Sequence, residues 1–171
     1  MMDTHRDPRL GKGSMSTTWR HLPAPAQAIA IAASDAVAAA QERDRDGLEA
    51  AVGPLAAAEG SALVLGAVVR LLLEEAHPDG LGGDEVRRVI EGCARAAAVW
   101  EPAVDPHVLL ILLAGALGVH DQDEGAPRPA PDSLARHAAL LVAHLLTSTS
   151  RPFAGYLTAA FTEIERTALQ D

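Results

Sequence analysis

The sequence predicts an all-α protein, a single compact domain of five to seven helices built from antiparallel hairpins around a buried central helix. Three observations carry this. Ala62–Leu73, Val108–Val119 and Ala138–Leu146 are apolar on nearly every side of a helix, broken only by Arg70 in the first and His144 in the third. Alanine, the strongest helix former, makes up roughly a fifth of the chain. Elsewhere, apolar residues recur at three-four spacing between turns rich in Pro and Gly. A helix apolar all round needs cover on every side. The chain therefore holds at least two buried central helices, or one helix reserved for a partner chain. The centre is expected at the helix after Asp105 or at Ala62–Leu73.

The elements follow in order. Residues 1–16 are expected to be a disordered leader, because polar and charged residues surround a lone Leu10. The domain then spans 17–171. The first helix starts near Pro23 or Pro25, since Pro suits a first turn, and runs to about Arg43. Its stripe is Leu22, Ala26, Ile29, Ala33, Val37 and Ala40. Asp46 is the expected N-cap of a short helix through Val52, and Gly53-Pro54 a break. A long helix over Pro54–Ala76 follows. Its Gly60 and Gly66 suggest a face where another helix packs close.

His77-Pro78-Asp79-Gly80-Leu81-Gly82-Gly83 is the clearest turn. Asp84 is the expected cap of the next helix, whose apolar face is Val86, Val89, Ile90, Cys93, Ala97 and Trp100. Asp105-Pro106 is a strong start, an N-cap followed by Pro at the first position. Gly118 is the natural end of that helix, and a polar loop runs from His120 to Pro131. Another helix covers Asp132 to Thr147. The last starts at Arg151-Pro152 and runs to Ala168, with Phe153, Leu157, Ala160, Phe161, Ile164 and Ala168 as its stripe. Tyr156 lies at the edge of that stripe, where its hydroxyl is expected to reach water.

Composition narrows the function classes. The chain has 171 residues, 49% hydrophobic and 22% charged, the balance of a globular domain. Its formal net charge of −9 disfavours nucleic acid, whose phosphates need a basic surface. It equally disfavours anionic membranes. No apolar run reaches the roughly 18–20 residues of a membrane span. The single cysteine, Cys93, rules out an internal disulfide and fits a reducing cytoplasm. The preference for Arg over Lys, with abundant Ala, points to a GC-rich bacterial genome.

Chemistry-bearing residues are sparse. Gly115-Ala116-Leu117-Gly118-Val119-His120-Asp121 resembles the HD-domain metal-dependent phosphohydrolases, over these few residues only. That family is all-helical and places a His-Asp dyad at a helix end after an apolar run. The resemblance implies a divalent metal held by His77, His120 and Asp121. Imidazole and carboxylate are suitable donors. The chain departs from the pattern after the dyad. Gln122-Asp123-Glu124-Gly125 stands where Gly-Lys often follows, no later Asp is expected inside a helix, and Asp132 at a helix start is the only candidate for the later ligand. An acidic solvated loop is the simpler reading.

His137 and His144 are seven apart on one helix, about 10 Å at 1.5 Å per residue. That is too far for one ion, whose helical ligands stand three or four apart. Each is a candidate for a pocket or a pH-sensitive interface, although a buried histidine bonded to backbone is the commoner case. Cys93 lies on an apolar stripe and is expected to be structural rather than reactive. Phe153, Tyr156 and Phe161, every Phe and Tyr in the chain, fall on the last helix. They serve equally as interface anchors or core fillers.

The function expected from this is a non-enzymatic cytoplasmic module that self-associates as a homo-oligomer, most simply a homodimer, or docks on a protein partner. It needs no cofactor. The alternatives are an HD-like hydrolase with a divalent metal, and a helical sensor domain binding a small molecule near His137 and His144.

Overall fold

Two prolines start the first helix. Pro23 precedes α1 (Ala24–Gln41) and Pro25 lies in its first turn, where a missing N–H costs nothing. The Gln27 side-chain amide donates to the carbonyls of Leu22, at 2.7 Å, and Arg20, which fixes the entry of the chain. In this computed structural model the described residues are 19–119, 125 and 127–171. Among them the protein is all-helical, with seven helices and no strand. The leader expected at 1–16 lies outside the described residues. Trp19, the first described residue, is buried.

The chain leaves α1 through Arg43, which has a φ of +56°. It enters α2 (Arg45–Ala57) under Asp44, whose carboxylate accepts the Gly47 N–H at 3.0 Å. The expected cap, Asp46, instead sits inside the first turn, where a negative charge still favours the helix N-terminus. The expected break at Gly53-Pro54 is also corrected, because both residues are helical. Pro54 and Ala50, one turn before it, are on the exposed side, where water replaces the hydrogen bond that Pro cannot make. The break comes later, at Gly60, with a φ of +88°. There the chain bends by 113° into α3 (Ser61–Ala76). The Ser61 hydroxyl donates to the Leu55 carbonyl at 2.9 Å and ties the corner.

α4 (Gly83–Ala98) begins under Gly82, whose N–H the Glu85 carboxylate accepts at 3.0 Å. Asp84 is in the first turn rather than at the cap. Only Cys93 and Ala97 of α4 are buried, so it lies at the periphery. α5 (Pro106–Ala116) starts as predicted, with the Asp105 carboxylate accepting the His107 N–H at 2.9 Å. It ends before Gly118, which takes a φ of +74°. α6 (Pro131–Leu146) and α7 (Phe153–Ala168) complete the domain.

The centre of the domain is α6. It packs against α1, α2, α3, α4 and α5. Nine of its sixteen residues are buried. Ala135, Ala138, Ala139 and Ala143 give it a thin body that several neighbours can approach at once. This corrects the expectation that the helix after Asp105 or Ala62–Leu73 is central. Only Val108, Leu109 and Leu113 of α5 are buried. α3 buries one face, through Val64, Leu65, Val68, Val69, Leu72 and Leu73, while Ala62 and Leu63 are exposed. Of the three runs apolar on all sides, only the third is wrapped.

No single helix among the described residues is long and apolar enough to cross a membrane. The bent pair of α2 and α3 passes by length and composition only.

Candidate functional site

The predicted site residues fall at three places: the end of α3, the segment after α5, and α6 with α7. His77 is half-buried at the C-terminal end of α3. His120 and Asp121, which carry the metal resemblance, lie outside the described residues. Among the described residues, no three His, Cys, Asp or Glu side chains come close enough to share an ion.

His137 is 1% exposed, and both ring nitrogens are occupied. Nε2 accepts the backbone N–H of Asp105 at 2.9 Å, while Nδ1 faces the Ser133 carbonyl at 2.7 Å. These partners assign the hydrogen to Nδ1 and leave Nε2 as acceptor. The neighbouring Arg136 reaches Glu49 at 2.7 Å and the buried Glu101 at 3.8 Å. Glu101 also accepts the Ala103 N–H. Residues 101–105 are thus fastened to α6 by two adjacent side chains, which fixes where α5 begins. His137 is thus a structural clasp between α6 and the start of α5.

His144 faces α4 instead. Its imidazole lies 3.2–3.3 Å from where a Cβ on Gly92 would stand, so glycine is the residue that admits the ring. Burial holds the His144 pKa below its ordinary value, because a charged imidazolium is poorly solvated there.

Burial alone pushes the Cys93 thiol up to about 12. It is therefore uncharged and inert at neutral pH.

The aromatic residues of α7 face inward. Tyr156 is 1% exposed, which corrects the expectation that its hydroxyl meets water. The hydroxyl donates to Glu75 of α3 at 2.8 Å and lies 2.8 Å from the Thr149 hydroxyl. The Arg151 guanidinium stacks 4.7 Å from the ring centre and also reaches Glu75. Phe153 and Phe161 are half-buried against the core. All three side chains thus contribute to closing the core.

What sequence reasoning missed is a groove. It lies between α3, α5, α6, α7 and the bend before α3, with a volume of about 1140 Å³. Leu65 and Val69 of α3, Ile111 and Leu112 of α5, Leu134 and Ala138 of α6, and Ile164 of α7 line it. The polar groups along it are few. The Ser61 hydroxyl is taken by the Leu55 carbonyl. Arg70 pairs with Glu163 across the groove and with Glu74 on its own helix. The hydrogen bond that Arg70 donates to Glu163 is the main cause that holds the Arg70 pKa above its ordinary value. Arg128 and Asp171, of opposite sign, stand at the rim.

Gly66 and Gly115 face this groove. Neither has a neighbour within 4 Å of where a Cβ would stand. Gly66 therefore leaves space beside α3, where close packing of another helix was expected. Glycine inside a helix costs about 1 kcal/mol relative to Ala, and here it buys neither a turn nor a close contact. The signal was present in the sequence as two glycines and a charge-free helix, but nothing local says that they face each other. No family model, no curated protein and no solved structure matches the chain.

Proposed function

We propose that the protein is a non-enzymatic helical module that self-associates through the outer side of α5. One observation carries the reading: a helix without a single charge is covered by its own chain on one side only. Leu110 and Leu117 lie two turns apart on the side of α5 away from the groove, 45% and 37% exposed, and Val119 beyond them is 59% exposed. Single exposed apolar residues are ordinary. Three within ten residues, on a charge-free segment of a chain with a net charge of −9, are a different matter. Two acidic molecules repel, and this face lets two copies meet without opposing like charges. An uncharged patch also satisfies the self-complementarity that a two-fold contact requires.

Size-exclusion chromatography with light scattering tests this. The wild type is expected to be a dimer whose population grows with concentration. Leu110→Glu combined with Leu117→Glu is expected to yield a folded monomer. A wild-type chain that stays monomeric at high concentration removes self-association. The face is then left to a different protein partner, which pull-down with the double variant as control would reveal.

A further inference from the structure

We propose that the groove between α3, α5, α6 and α7 is a binding site for an uncharged, largely hydrocarbon small molecule of the acyl-chain type. This site lies on the opposite side of α5 from the association face and does not depend on it.

Three features of the groove argue for such a guest. Its volume, about 1140 Å³, lies just above the roughly 300–1,000 Å³ of most small-molecule sites, which are concave, mostly apolar and few per protein. Its lining comes from four helices rather than from a single exposed face. Water filling it would meet few free polar partners, a condition that favours an apolar occupant.

Charge decides the class of guest. The Arg70 guanidinium is engaged by Glu163 and Glu74, and the rim adds Arg128 and Asp171, one of each sign. A carboxylate guest would compete with Glu163 for Arg70, and an ammonium guest would compete with Arg70 for Glu163. An uncharged guest disturbs neither pairing and still finds paired polar groups beside which a hydroxyl or ester end can rest. Burying an unpaired charge in the apolar remainder is costly.

The glycines supply the width. Gly66 and Gly115 enter the groove from two different helices, with open space where each side chain would start. A leucine at either position projects into the volume the guest would occupy. Gly53 is a fair control, since it is also helical and also has open space around it, but it does not line the groove.

The probe is phenylnaphthylamine, an uncharged dye that brightens in apolar surroundings, titrated into full-length protein. Wild type is expected to bind it saturably, and dodecanol to displace it. Dodecanoate and dodecylammonium should compete at least about tenfold more weakly. Gly66→Leu and Gly115→Leu, made separately so that one misfolded variant does not end the test, should each weaken binding by about tenfold or more. Gly53→Leu should bind as wild type does. The Leu110→Glu, Leu117→Glu variant should also keep binding, which separates this site from self-association. The proposal is overturned if wild type does not bind the dye or if both folded groove variants bind it unchanged. Loss of binding only in the Leu110→Glu, Leu117→Glu variant also overturns it, because the dye then sits between copies. Equal displacement by dodecanoate overturns the uncharged class.

Discussion

His137 shows how one side chain sets the position of an element. Its ring bonds the backbone N–H of Asp105 and the carbonyl of Ser133, so it joins the start of α5 to α6. Replacing it with leucine strands the Asp105 N–H in a partly buried place. His137→Leu is expected to lower stability by about 2 kcal/mol, the cost of an unmade buried hydrogen bond, as read from urea unfolding. His144 makes a different prediction. Its folded pKa is depressed by burial, so between that value and the ordinary 6.5 the unfolded chain binds the extra proton. Stability contributed by this group is complete above pH 6.5 and falls as pH drops toward the folded pKa. Comparing the pH dependence of unfolding in wild type and His144→Leu isolates this share, and the variant should show the shallower decline below pH 6.5. The sequence offered the two histidines as a pair on one face. The chain treats them separately, because seven residues carry the second onto α4 while the first stays with the turn before α5.

At the scale of the helix, sequence signals were legible where a proline stands at a helix start or a glycine just past a helix end. Asp105-Pro106 and Arg151-Pro152 mark helix starts, and Gly118 marks an end, as the structure has them. Elsewhere neighbouring candidates were interchangeable. Asp44 and Asp46 are equally good caps by chemistry, and the left-handed turn at Arg43 decides in favour of Asp44. Pro54 failed as a breaker because its missing bond falls on the solvent side. The all-round apolar runs predicted helices correctly but not which one is wrapped, since burial depends on contacts far away in sequence. Asp105→Ala tests the cap. It should cost about 1 kcal/mol, seen as a fall of about 2–4 °C in Tm for a chain of this length, with α5 fraying from its first turn.

Across the whole molecule, the order of helices in the chain and their order in space disagree. α6, the common neighbour of α1 to α5, comes sixth of the seven described helices. Trp19, at the first described position, lines a small recess together with Pro152 and Phe153 near the last helix. A chain ending before Pro131 therefore lacks both its hub and the partner of its first residues. Such a fragment is expected to show helical circular dichroism without a cooperative unfolding transition. The groove, equally, was not legible along the chain, because its walls come from residues 55–70, 111–116, 131–138 and 163–171. No window of sequence contains it.

The position of α6 has a further bearing on biosynthesis. A ribosome delivers α1 to α5 before the helix that gathers them, so α1 and α2 can pair early while the common neighbour of all five is still to come. Folding during translation is then deferred until α6 has emerged. In the interval the nascent polypeptide presents its apolar stretches to chaperones and to neighbouring chains.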